Sequence, residues 1–177
     1  MSNLNTDTLL LTQVLHEILK DQTSLIYLTG QVAVGQTTLA RQLGRELKLP
    51  VVSQEVLYEA VMGPTFITGV HEAAVNWLSD MIGYHLLSRR SVVFDAQTYS
   101  AAVRSQYLNV TAGLGIPTYC VWTQCEEPLR SLIIKQKGYP LDVVRAANTI
   151  FDPPQTQEGF RFVTCHMTEP PSLTPTP

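Results

Sequence analysis

One stretch constrains this chain more than any other: Leu25 to Leu47, reading LIYLTGQVAVGQTTLARQLGREL. An apolar run, Leu25–Leu28, ends at Gly30. A loop of small and apolar residues follows and closes at Gly35. A helical pattern then starts at Thr37 or Thr38, with Leu39, Leu43 and Leu47 four residues apart. Strand, glycine loop and helix in this order form a phosphate-binding loop, in which backbone N–H groups and the helix N-terminus cradle phosphate oxygens. Gly30 and Gly35 have the spacing of G-x-x-x-x-G-K-[ST], and Thr37 stands at the hydroxyl position. The lysine position holds Gln36. The expected phosphate contacts are Gly30, Val32, Ala33, Val34, Gly35, Gln36, Thr37 and Thr38. Gln36 can donate a hydrogen bond but brings no charge to the terminal phosphates, where the lysine normally acts.

The elements around this stretch set the fold class. Apolar spacing predicts helices over Thr6–Lys20, Thr37–Leu47, Gln54–Met62, Thr68–Leu87, Ser100–Leu114, Glu126–Lys135 and Leu141–Ile150. Leu10, Val14, Leu15 and Ile18 are the expected core face of the first helix, and Trp77 and Trp122 are expected to pack. Short apolar runs predict strands at Ser24–Leu28, Pro50–Ser53, Ser91–Asp95, Ile116–Trp122 and Phe160–Cys165. Five strands alternating with helices specify a three-layer α/β sandwich on a five-stranded parallel sheet, the P-loop NTPase arrangement. At 177 residues one domain is expected, spanning 1–167, followed by a proline-rich, disordered tail at 168–177.

Composition narrows the class of partner. Twelve Lys and Arg against 15 Asp and Glu leave a net charge of −3 and no long basic stripe, which argues against nonspecific nucleic-acid or membrane binding. The start, MSNLNTDTLL, has neither a basic region nor a long apolar run, so no signal peptide is expected. No stretch is apolar enough to span a membrane. Cys120, Cys125 and Cys165 lack metal-type spacing and read as reduced, mostly buried thiols of a cytoplasmic protein. The four histidines show no ligand spacing.

Asp95 ends the most apolar strand, where a parallel sheet opens into its ligand crevice. It is either a magnesium ligand opposite the Thr37 hydroxyl, or a base, or a cap for the next helix. Glu55 follows the second strand and is either the base for an acceptor hydroxyl or a first-turn glutamate favoured by the helix dipole. The chain has only four lysines. Lys135 and Lys137, with Arg130, are the candidates to replace the missing loop charge; the alternative for this segment is a solvated helix end.

Taken together, these pieces resemble P-loop kinases of the polynucleotide-kinase-like group, which includes zeta-toxin-like and seryl-tRNA-kinase-like proteins; an AAA-type ATPase-like relation fits the same loop. The resemblance covers about residues 24–166. It rests on the loop, on Val52-Ser53-Gln54-Glu55-Val56-Leu57-Tyr58, on Val93-Phe94-Asp95-Ala96-Gln97-Thr98 with Arg104 after it, and on Gly138-Tyr139-Pro140, Phe151-Asp152-Pro153-Pro154 and Glu158-Gly159-Phe160. It implies a kinase that uses ATP and Mg²⁺ to phosphorylate a hydroxyl of a small molecule or nucleic acid. The departures sit at the chemistry: Gln36 for lysine, Glu55 for aspartate, Tyr58 for an acceptor-holding arginine. Three readings follow: a kinase with weak or altered activity, a catalytically inactive pseudokinase acting through a partner, and an ATPase without acceptor. Neither the acceptor nor the oligomeric state is legible.

Overall fold

The computed structural model describes residues 6–62 and 72–168. The expected Gly63-Pro64 break, the start of the fourth helix at Thr68 and the proline-rich tail beyond Thr168 lie outside those residues. Within them the chain runs α1 (Thr6–Leu19), β1 (Leu25–Gly30), α2 (Gln36–Leu47), β2 (Val51–Ser53), α3 (Gln54–Met62), α4 (Glu72–Leu87), β3 (Val92–Asp95), α5 (Ala101–Leu114), β4 (Thr118–Cys125), α6 (Glu127–Lys137), α7 (Leu141–Thr149), a single 3₁₀ turn (Thr156–Glu158) and β5 (Phe162–Thr168).

All five strands are parallel, in the order β2-β3-β1-β4-β5. This is the α/β sandwich with a five-stranded parallel sheet that the sequence predicts. The two central strands are fully buried along their length, which is why they read as unbroken apolar runs rather than alternating ones. Their side chains still alternate between two cores. Leu25 and Tyr27 of β1 join Phe94, Leu78, Ile82, Leu86 and Tyr107 under α4 and α5. Ile26 and Leu28 join Val93, Val121, Leu15, Leu39 and Leu43 under α1 and α2.

Three sequence expectations are corrected. The core face of α1 is Thr8, Leu11 and Leu15, whereas Leu10 and Val14 are exposed; both pairs have helical spacing, and only the tilt of α1 on the sheet selects one. Trp77 does not pack into the core but stands 57% exposed on α4. Of the three free thiols, Cys120 is buried, Cys125 half-buried and Cys165 exposed. The outer strands also reach further than their apolar cores suggest. β4 continues through Thr123-Gln124-Cys125 because β1 and β5 supply ladder partners there, Gly30 opposite Thr123 and Thr168 opposite Cys125.

One buried ion pair organises the far side of the sheet. Arg104 of α5 is fully buried. Its guanidinium donates to both carboxylate oxygens of Glu158, at 2.6 and 2.7 Å, and to the Asp152 carbonyl at 2.8 Å. The Phe151–Phe160 segment is thereby bolted to α5 by a bidentate, charge-assisted contact. Two motifs that the sequence shows 54 residues apart are one structural unit.

Candidate active site

The loop between β1 and α2 lies at the carboxyl ends of the strands. There β1 is flanked by β3 on one side and β4 on the other, the crevice position of an open α/β sheet. Gly30 is required by close approach: a Cβ there would sit 2.5 Å from the Thr123 carbonyl oxygen and 2.7 Å from Val34 Cγ2. Gly35 has φ +80°, and a side chain there would meet Thr168. Ala33 also takes a left-handed backbone, φ 63°. Left-handed residues spaced along such a loop turn N–H groups into an anion-binding nest. No side chain caps the N-terminus of α2, so its first-turn amides remain available to a phosphate.

A cleft of about 160 Å³ opens above this loop. It is lined by Gly30 through Thr38, by Glu55, Asp95, Gln97 and Tyr99, and by Ile133, Lys137 and Tyr139 from the α6–α7 region. Every loop residue expected to contact phosphate therefore faces one space with Glu55, Asp95 and Lys137.

Gln36 is turned beneath the loop. Its side-chain nitrogen donates to Asp95 Oδ1 at 2.7 Å, to the Ala96 carbonyl at 2.9 Å and to the Leu28 carbonyl at 3.3 Å. The two carbonyls fix the amide orientation, because a flipped amide would face them with its own oxygen. Asp95 is 2% exposed, and its second oxygen accepts the Ser53 hydroxyl at 2.7 Å. Burial pushes its carboxyl above the ordinary range. Hydrogen bonds from Ser53, Thr37 and Gln36 oppose the shift, and the nearby Glu55 carboxylate adds to it. No cation is among these causes. The absent lysine leaves a buried carboxylate held by neutral donors alone.

Thr37 Oγ1 donates to Glu55 Oε2 at 2.7 Å, and Lys137 Nζ donates to Glu55 Oε1 at 3.4 Å. Glu55 thus links the α2 N-terminus to the end of α6 across the mouth of the cleft. Thr37, Glu55 and Asp95 present only oxygen donors, which suits a hard cation such as Mg²⁺ that keeps most of its waters and takes one or two protein ligands. The same residues contain no nitrogen or sulfur donor set, and no cluster of three His, Cys, Asp or Glu that could hold a metal by themselves occurs among the described residues.

The other two cations stand differently. Arg130 is 5% exposed, and its guanidinium donates to the Val32 carbonyl at 2.9 Å, to Asn148 at 2.7 Å and to Glu127 at 3.1 Å. It braces α6 and α7 against the loop. Val32 is buried with Val144 and Ala147, and Ala33, Tyr99, Ile134 and Tyr139 pack around them. Lys135 is exposed and does not line the cleft. Tyr58 is half-buried, and its hydroxyl accepts the Gln54 amide at 3.2 Å. Gln54 in turn accepts the Gln97 N–H. Sequence reasoning missed Gln31, Gln97, Tyr99, Ile133 and Tyr139 as cleft residues, and Ser53 as the donor to Asp95. The apolar loop positions Val32 and Val34 were the available hint that part of α6–α7 sits on the loop.

A family model described as an AAA domain (AAA_33) matches residues 25–151. No curated protein matches the sequence significantly. Among solved structures, the fold is similar to Kti12 of Chaetomium thermophilum in complex with ADP-AlF3 (TM-score 0.67, 16% identity, 81% of this chain and 89% of that one). It is similar to a protein described as a putative kinase from Chloroflexus aurantiacus J-10-fl (0.62, 17%, 84% and 86%). It also resembles the APS kinase CysC of Mycobacterium tuberculosis in complex with AMPPNP and APS (0.57, 18%, 81% and 88%). At these identities the likeness is one of fold, that of P-loop kinases.

Proposed function

The chain belongs to the AAA domain family, and on that footing we propose that it is a P-loop kinase-like enzyme that transfers the γ-phosphoryl group of ATP to a hydroxyl acceptor at a reduced rate. The observation that carries this reading is the Thr37–Glu55–Lys137 chain of contacts across the cleft. It brings a candidate base and a candidate cation to the mouth of a loop whose own cation is absent. The neighbours solved with ADP-AlF3 and AMPPNP support nucleotide as the ligand class. The Arg104–Glu158 unit, built from the motifs that resemble the polynucleotide-kinase-like and zeta-toxin-like group, supports that narrower placement. The free thiols are compatible with a cytoplasmic setting.

The roles follow from chemistry. The amides of the 30–38 loop and the α2 N-terminus hold the nucleotide phosphates. Thr37 and Asp95 would hold Mg²⁺, which would supply positive charge to offset that of the nucleotide phosphates. Glu55 takes the proton from the acceptor hydroxyl as that oxygen forms its bond to the γ-phosphorus. The bond from phosphorus to the bridging oxygen breaks, and ADP leaves with the electron pair. Lys137 stays at the cleft as the compensating charge. Arg130 and Lys135 would share that task only by leaving the positions they hold here.

Lys137→Met tests the assignment. Wild-type protein is expected to turn over Mg-ATP slowly, and the variant to lose about 10²–10³-fold in rate, the range for one charged transition-state donor. Phosphate release and transfer to polyol and nucleic-acid acceptors would be followed, with calorimetry for binding. A wild-type chain that binds Mg-ATP but neither hydrolyses nor transfers it would overturn the kinase reading and leave the pseudokinase alternative.

A further inference from the structure

Beyond its phosphate loop the cleft is lined by Gln97 and Tyr99 after β3, by Lys137 and Tyr139 from the α6–α7 region, and by the carboxylates of Glu55 and Asp95. Burial, with Tyr139 and Tyr58 nearby, pushes the Tyr99 phenol up to about 12. Burial, followed by the carboxylates of Glu55, Glu59 and Asp95, pushes the Tyr139 phenol up to about 12. Both rings therefore keep their hydroxyl proton at neutral pH and present uncharged π faces to the cleft.

All 12 Lys and Arg of the chain lie within the described residues, and of them only Lys137 lines this cleft. Its ammonium is already matched by Glu55 Oε1 at 3.4 Å. Arg130 is turned onto the Val32 carbonyl and Arg104 onto Glu158. Against that one ammonium stand Glu55 and Asp95 on the lining and Glu59 one turn further along α3, whose charge reaches Tyr139. Bound Mg-ATP adds net negative charge. Resting on the kinase-like reading of this cleft, we propose that the acceptor hydroxyl belongs to a small amine-bearing alcohol, whose ammonium supplies the positive charge that Gln36 does not. An acidic or phosphorylated acceptor, a nucleic-acid strand included, needs a cation that the chain does not place here, and it sets like charges together. A neutral polyol leaves the excess of carboxylates uncompensated. An ammonium offsets it, donates N–H bonds to carboxylate oxygens and is attracted to the tyrosine faces. The cleft, about 160 Å³, limits its size. In the transfer the acceptor's hydroxyl oxygen bonds to the γ-phosphorus, its proton passes to Glu55 and ADP leaves with the electron pair; the ammonium is neither formed nor consumed.

Saturation-transfer NMR on the full chain with Mg-AMPPNP tests this, at about pH 6.5, where such amines are protonated. Two series matched in skeleton serve as probes: ethanolamine, ethylene glycol and glycolate, and glucosamine, glucose and gluconate. The amine is expected to bind about 10-fold more tightly than its neutral counterpart, with the acid weakest. Glu59→Lys, at an exposed position of α3, is expected to abolish that preference, and Tyr139→Leu to reduce it several-fold; circular dichroism confirms that each variant is folded. A chain that binds Mg-AMPPNP but takes the neutral or acidic member of both series as tightly as the amine, or takes none of them, overturns the amine assignment and leaves the kinase-like reading standing. A chain that does not bind Mg-AMPPNP overturns both. An amine preference unchanged in Glu59→Lys and in Tyr139→Leu also overturns the assignment, because the amine then binds away from the cleft.

Discussion

Replacing Gln36 by lysine restores the charge that the loop lacks, and the surroundings of the side chain set what that charge meets. One amide nitrogen with two hydrogens serves three acceptors, Asp95 Oδ1 at 2.7 Å, Ala96 O at 2.9 Å and Leu28 O at 3.3 Å. An ammonium has three hydrogens and can satisfy all three. At the observed 2.7 Å separation from Asp95 and an effective dielectric of about 20, the gross attraction is roughly 6 kcal/mol. Desolvating the ammonium at a position only 8% exposed costs several kcal/mol in return. We expect the variant to be stabilised by about 1–3 kcal/mol, the residue of those two effects. When nucleotide binds, a charged donor on a phosphate oxygen contributes about 1.5–3 kcal/mol, so Mg-ATP is expected to bind about 10- to 150-fold more tightly. Calorimetric titration of both proteins with Mg-ATP measures this. A folded Gln36→Lys protein whose affinity is unchanged or lower would refute the reasoning, because it would mean that the lysine stays locked on Asp95 or that the loop is not a phosphate site.

Two further outcomes follow from the same structure. Burial holds the Asp95 carboxyl above its ordinary range, so the folded state binds its proton more tightly than the unfolded chain does. The stability from that proton is fully present below the unfolded carboxyl value and is lost as pH rises through the raised folded value. Asp95→Asn is therefore expected to be more stable than wild type at pH 7 by about 0.5–2 kcal/mol, typical relief for a strained functional position, with little difference near pH 3. Urea unfolding at the two pH values measures this, and an Asn variant less stable at pH 7 would contradict it. Arg104→Met should destabilise the chain by about 3–5 kcal/mol, because it leaves Glu158 facing a low-dielectric core without its partner. Thermal melts check it, and Arg104→Met with Glu158→Gln should recover part of the loss.

Much of the scaffold was legible in the residues. The strand–glycine-loop–helix stretch specifies its own backbone, since Gly30 has no room for a side chain and Gly35 needs a left-handed φ. Fully buried strands such as Val92–Asp95 announce themselves as apolar runs. Asp95 at the end of β3 and Glu55 just after β2 already stood at the same end of a parallel sheet. Where two helical stripes compete, as on α1 and α4, the periodicity could not choose, and the exposed Trp77 is the result.

The sequence alone determined the fold class, the loop and the absence of its lysine, because these depend on local backbone sterics and on apolar period. Tertiary structure decided how that absence is accommodated. Gln36 is turned onto Asp95 and two carbonyls, Arg130 is spent on bracing α6 and α7 to Val32, and Lys137 reaches Glu55 from 82 residues away. Those pairings depend on how α6 docks over the loop, and cations at comparable positions along one helix differ only in which side of it meets the cleft.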